Sequence, residues 1–198
     1  SLEKINKVVE PRQGEIMFGL NMIVNKGKTV FIGDTSVHEY PSSEQLAEIA
    51  ISSARVVRLF GFEPKVAFLS HSTFGQPLTS RTKHIRDAVD ILKKRKVDFK
   101  FDGDMQPDVA LSEEYKELYP MSDIVGKANV LIMPGQHSAA ISYKIMKTLG
   151  GAKVIGPLLV GLGRAIEVVP LRSSTSEILN IASVAAYSAG IINYGKIN

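Results

Sequence analysis

The chain has no cysteine and no tryptophan among its 198 residues. The first absence excludes disulfides, thiolate nucleophiles and cysteine-ligated metal, and it agrees with a reducing compartment. Histidine is scarce too: His38, His71, His84 and His137 are dispersed, without metal-ligand spacing. Long apolar runs are also missing. Stretches such as "NVLIMP" and "VIGPLLVGL" are far too short to cross a bilayer, and the opening "SLEKINKVVEPRQGE" lacks the apolar core of a signal peptide. A soluble, cytoplasmic chain without membrane contact is expected. The formal net charge of +4 suits a polyanionic small ligand such as a nucleotide. Because the basic residues are interspersed with acids rather than gathered into stripes, no nucleic acid partner is expected.

What is present is the composition of a globular protein, 44% hydrophobic and 22% charged, long enough to bury a core without covalent staples. Short β-branched runs alternate with segments of helical period, which predicts an α/β fold with a mainly parallel sheet and flanking helices. "TVFIGD" (Thr29 to Asp34) reads as a buried strand. Ser42 and Gln45 have capping-box spacing and start a helix whose core face is Leu46, Ile49, Ala50, Ser53, Ala54 and Val57. "KVAFLS" is the next strand, ending at Ser70, and a second helix buries Ile85, Ala88, Val89 and Leu92. Val97, Phe99 and Phe101 alternate as a strand before an acidic loop carrying Asp102, Asp104 and Asp108. "NVLIMP" is a buried strand leading into a helix that stops at Gly150-Gly151, and the last helix, from about Ser174, turns Ile178, Ile181, Ala182, Ala185 and Ala189 to the core. The segment before Thr29 is only about one and a half elements long. The last helix is therefore short of strands to pack on, and the chain reads as a fragment.

Several loops have residues suited to chemistry. From Pro134 to Ala140 a strand turns into a helix through Pro-Gly and small residues, which leaves backbone N–H groups free and lets a diphosphate approach, with His137 as an added donor. The same pattern also serves an ordinary strand-to-helix turn. "GLG" at Gly161 to Gly163 lacks the third glycine and the acid of a dinucleotide fingerprint. His71, Ser72, Arg81 and Arg86 cluster around one loop, and they read either as a serine nucleophile with a histidine base or as solvated loop residues. Asp102, Asp104 and Asp108 lack the spacing of a calcium loop, and no dedicated metal site is expected. Before the last helix, Ser174 and Glu177 form a capping box, and Arg172 is left over, suited to an anion or to a surface turn.

The stretches "FIGDTSVHEYPSSEQLAEIAISSARVVRLFGFEPKVAFLSHST", "DFKFDGDMQPDVAL" and "KANVLIMPGQHSAAISYKIMKTLGGAKVIGPLLVGL", with the final helix, resemble the carboxyl-terminal part of phosphate acetyltransferases. The resemblance runs in collinear order from about Thr29 to Ala189. It implies a two-lobed, isocitrate-dehydrogenase-like α/β fold, a cleft between lobes where CoA meets acetyl phosphate, and dimers through the central lobe. On that pattern residues 35–161 are the central lobe, and residues 1–34 and 162–198 belong to an incomplete outer lobe.

The departures from the family are specific. Those transferases have Ser-Arg-Gly before the last helix and an aspartate about six positions after the arginine. If Glu177 matches that aspartate, the triplet falls on Pro170, Leu171 and Arg172. Pairing Arg172 with the family arginine instead needs a one-residue deletion and leaves Leu171 in place of the serine. Where the family has Gly-Asn-Ile, this chain has Ala139-Ala140-Ile141, a methyl in place of an amide. These changes, with "MPGQHSAAIS" and "GPLLVGL", resemble the transferase-like domain of the large bacterial NADP-dependent malic enzymes. There, NADP and a divalent metal belong to a separate part that decarboxylates malate to pyruvate, and the transferase-like domain senses acetyl-CoA. The resemblance thus implies a regulatory acyl-CoA-binding domain, without catalytic residues, in a homo-oligomer. The expected contacts to acyl-CoA or phosphate are Ser70, Ser72, Thr73, Gln136, His137, Ser138 and Arg172. Two other readings stand: an active phosphate acetyl- or butyryltransferase with Arg172 or Arg81 holding phosphate, and a lobe that only assembles the oligomer.

Overall fold

The computed structural model describes residue 5 and residues 8–194, without the side chains of residue 81 and residues 191–194. Arg81 as a phosphate ligand therefore lies outside what is described. The elements in chain order are β1 (Phe18–Asn25), β2 (Lys28–Gly33), α1 (Ser43–Leu59), β3 (Lys65–Leu69), α2 (Ser80–Arg95), β4 (Lys100–Met105), α3 (Pro107–Leu111), β5 (Val130–Ile132), α4 (Gln136–Thr148), β6 (Lys153–Val160) and α5 (Thr175–Tyr194). They form one six-stranded sheet in the order β4-β3-β5-β2-β1-β6. Strands β2, β5, β3 and β4 run parallel, while β1 is antiparallel to both its neighbours. The carboxyl ends of the five other strands consequently open on one edge of the sheet, where such folds gather their loops.

Strand β1, in the segment before Thr29, is not among the strands expected from sequence. It lies between β2 and β6, and Phe18, Leu20, Asn21 and Ile23 are all buried, so the in-out alternation that would have marked a strand is missing. It joins β2 through Lys26-Gly27, both with positive φ (47° and 78°), the requirement of a tight two-residue hairpin turn. Residue 34 follows β2 directly, so strands on both sides of that position share one sheet.

The other expected elements form, and every predicted core residue of α1 and α2 is buried. On one face the apolar sides of α1 and α2 pack with Ile181 of α5 against Phe18, Leu20, Phe31, Val66, Phe68, Val130 and Ile132. On the other face α3 and α4 cover Ile23, Ile32, Ala67, Leu69 and Leu131. Two details differ from the expectation. Asp102 and Asp104 lie within β4 rather than in a loop, and Asp104 is fully buried. On α5, Ile181 is buried with Val184 packed beside it, but Ile178 is 47% exposed and Ala182 faces outward, because the helix packs at the sheet's edge, on β6 and the end of α1.

The capping box at α1 forms as its spacing requires: the Gln45 amide donates to Ser42 Oγ at 3.1 Å, and the Ser42 amide donates to Gln45 Oε1 at 2.7 Å. Ser42→Ala is expected to cost about 1 kcal/mol of stability, read as a lower midpoint in urea with an unchanged denaturant slope.

Candidate functional site

At the carboxyl edge, the loop after β2 is built on one buried side chain. Asp34, 1% exposed, accepts hydrogen bonds from the amides of Gly19 (2.9 Å), Ser36 (2.8 Å), Val37 (3.1 Å) and His38 (2.7 Å), and its Oδ2 lies 2.8 Å from His38 Nδ1. The loop so held supports the start of α4. The Gln136 amide donates to the His38 carbonyl and its side-chain amide to the Ser36 carbonyl, both at 3.1 Å. Gly135, the N-cap of α4, lies so close to this loop that a Cβ there would collide with the Glu39 carbonyl oxygen.

A cleft of about 530 Å³ opens where α1, α2 and α4 begin, lined by Tyr40, Gln45, Ser80, His84, His137 and Ser138 among others. His137, exposed, pairs with Glu39 at 3.0 Å, and the Ser138 hydroxyl donates to the Gly135 carbonyl at 2.7 Å. The first-turn amides of His137 and Ser138 have no acceptor among the described residues, so the positive end of α4 is open to an anion. His84 Nε2 lies 2.7 Å from the Pro41 carbonyl, which can only accept. That nitrogen therefore bears the hydrogen, and the Ser43 hydroxyl lies 2.9 Å from both Nδ1 and the His84 carbonyl, to which it donates.

Of the residues expected to contact a ligand, only His137 and Ser138 line this cleft. The loop after β3 is an internal brace instead. Ser72 is fully buried and its hydroxyl donates to the Asp104 carboxylate, which also accepts the Gly75 amide at 3.0 Å. Thr73 is 8% exposed and its Oγ1 accepts the Gln106 amide at 3.2 Å. Ser70 is half-buried and bonds to Ser72, and Gln136 is committed to the Ser36 carbonyl. The expected serine–histidine pair does not form here among the described residues, because the Ser72 hydroxyl donates to the Asp104 carboxylate rather than to the exposed His71. No group of three or more histidine and carboxylate side chains suited to a metal occurs among the described residues.

Arg172 stands elsewhere. Its turn precedes α5 beside a second cleft of about 230 Å³, between α4 and α5, lined by Tyr143, Lys144, Lys147, Ser173, Glu177 and Asn180 among others. Arg172 is exposed, with no hydrogen bond or ion pair among the described residues, and Leu171 beside it is fully exposed. The capping box does form: the Glu177 amide donates to Ser174 Oγ at 3.3 Å, while Glu177 Oε2 accepts the Ser174 amide at 2.8 Å and its hydroxyl at 3.0 Å. Lys147 reaches across from α4 to the same carboxylate at 3.1 Å. The Ser174 amide first, then Lys147, pull the Glu177 carboxyl down to about 2.

Sequence reasoning did not give Asp34 and Asp104 their role as the buried acceptors that hold the loops of this edge. Asp34 and Asp104 each follow a glycine near the end of a parallel strand, and that repeated Gly-Asp was the available signal. Glu167 also escaped notice. It is largely buried, its Oε2 accepts the Leu159 amide at 2.9 Å, and burial pushes its carboxyl up to about 7 against the opposing pull of that amide.

The same architecture occurs in known proteins. A phosphotransacetylase from Streptococcus pyogenes superposes with a TM-score of 0.90 and 28% identity, over 95% of this chain and 58% of its own. An NADP-dependent malic enzyme of Rhizobium meliloti is 44% identical over 190 residues, 96% of this chain but 25% of the relative. A probable NADP-dependent malic enzyme of Rickettsia prowazekii is 38% identical over 199 residues, 96% of this chain and 26% of the relative. The chain thus spans about a quarter of the length of those malic enzymes. The family model described as phosphate acetyl/butaryl transferase matches residues 1–186, and the chain belongs to that family.

Proposed function

We propose that this chain is a regulatory domain of a malic enzyme, binding acetyl-CoA as an effector and turning over no acyl group. The observation that carries this reading is the state of Glu177. Transfer of an acyl group from acyl phosphate to CoA needs the thiol deprotonated and the phosphate oxygens neutralised by placed donors. Glu177, in the place of the family's aspartate, has its carboxylate engaged by the Ser174 amide and hydroxyl and by Lys147, so it is not free to receive a proton from a thiol. Leu171 stands before Arg172 in the place of the family's serine, and Arg172 has no hydrogen bond or ion pair among the described residues. The anion-receptive start of α4, with His137 and Ser138, remains for a CoA phosphate.

Binding without turnover becomes regulation when the two states of a larger protein differ in affinity for the ligand. The decarboxylating part, with its NADP and divalent metal, and an oligomer assembled through this domain complete the proposal. Its test is a thioester absorbance assay with CoA and acetyl phosphate, with acetyl-CoA calorimetry on the same sample. The expected result is saturable heat without thioester formation. Appreciable thioester formation would establish the active transferase instead, and silence in both would leave only an assembly role.

A further inference from the structure

The cleft of about 530 Å³ is lined by Ser42, Ser80 and Gly135, which stand at the starts of α1, α2 and α4, so the positive ends of three helices meet there. Among the described lining residues Glu39 is the one acid. Its position is fixed from two sides. The loop that leads to it is held by Asp34, and the Glu39 carbonyl oxygen lies against Gly135, where a Cβ would collide with it. Gln136 bonds to the Ser36 and His38 carbonyls, which ties the first turn of α4 to the same loop. Glu39 Oε1 and His137 Nε2 thus meet at 3.0 Å between two anchored segments. A carboxylate can only accept, so the hydrogen on that ring nitrogen points at Glu39 and is not free for a ligand. Neither side chain has another hydrogen bond or ion pair among the described residues.

We infer that Glu39 is a tethered competitor for the anionic group of the ligand, and that this one side chain sets the affinity of the cleft below what its helix starts would give. The inference rests on the effector role proposed above, in which a CoA phosphate takes the start of α4. A phosphate oxygen that reaches the donor of His137 must first displace the Glu39 carboxylate, and afterwards it lies beside a charge of its own sign. Both steps oppose binding. Two like charges about 4 Å apart in water shift an equilibrium about fivefold, and that is the scale on which removing the Glu39 charge acts. The Glu39 side chain is 58% exposed, so its replacement by glutamine leaves the packing of the loop and of α4 as it is.

Calorimetric titration of the whole chain with acetyl-CoA tests it, on the unchanged protein, Glu39→Gln and Glu39→Asp, at about 20 mM and about 500 mM sodium chloride. Glu39→Gln is expected to bind about fivefold more tightly than the unchanged protein at low salt, and Glu39→Asp, which keeps the charge, about as tightly as the unchanged protein. At high salt the gain of Glu39→Gln is expected to shrink below about twofold, because exposed charges are screened. Saturable heat from Glu39→Gln alone would support the inference in its strongest form. Equal affinities of the unchanged protein and Glu39→Gln at low salt, or a gain that persists at high salt, would overturn it and leave the effector role standing. Weaker binding by Glu39→Gln would overturn it too, and would make Glu39 a contact of the ligand. No saturable heat from any of the three proteins would overturn the effector role, and this inference with it.

Discussion

Asp34→Ala is expected to lose about 4 kcal/mol of stability, which for a chain of this length lowers the thermal midpoint by about 8–16 °C. The size follows from what one carboxylate supports. Four backbone amides and the His38 ring converge on Asp34, and the side chain is 1% exposed. Alanine leaves those amides without acceptors in a place where water reaches poorly, and the cost is their desolvation rather than the loss of one bond. A second consequence travels to the cleft. The Ser36 and His38 carbonyls hold Gln136, so a slackened loop loosens the first turn of α4 and the amides of His137 and Ser138 with it. Thermal unfolding followed by circular dichroism measures the first effect, and faster hydrogen exchange at the first turn of α4 the second. A loss below about 1 kcal/mol would show that water replaces the carboxylate at little cost.

How much of this could be read beforehand depends on periodicity. The helical faces of α1 and α2 alternate between core and solvent, and each predicted core residue there is buried, because amphipathic helices on an open sheet have one inward side. β1 breaks that logic, since a central strand covered on both faces has no polar side to reveal its period, and Asn21 is as buried as Leu20. α5 fails in the opposite sense. It packs at an edge of the sheet, so a sequence apolar almost all round does not identify which residues touch.

The candidate site divides in the same way. The capping boxes at Ser42 and Ser174 depend on local spacing and are present. Ser72 and Thr73, chosen for hydroxyls at the end of a strand, turn inward because Asp104, thirty-two residues away from Ser72, takes the serine's proton. No local pattern shows where a distant carboxylate lies. The family, in contrast, was legible across long stretches, because loop and core residues together repeat its pattern from Thr29 to Ala189.

Glu167→Gln is expected to make the protein more stable at pH 8 while leaving it unchanged near pH 4. Burial moves the Glu167 carboxyl from an ordinary value of 4.5 to about 7, so between these values the folded chain holds a proton that the unfolded chain has released. Stability therefore falls as pH rises through that window, and it levels off above pH 7. The span sets the upper size of the effect at about 3 kcal/mol, since each pH unit of it corresponds to about 1.4 kcal/mol. Glutamine keeps an oxygen for the Leu159 amide, the bond that ties the connector after β6 to that edge strand, and it has no proton to lose. Urea unfolding of both proteins from pH 4 to pH 8 makes the comparison, with the midpoints coinciding at the acid end and separating toward the alkaline end. Parallel curves would mean that Glu167 ionises at its ordinary value in the folded chain, with water reaching its carboxyl.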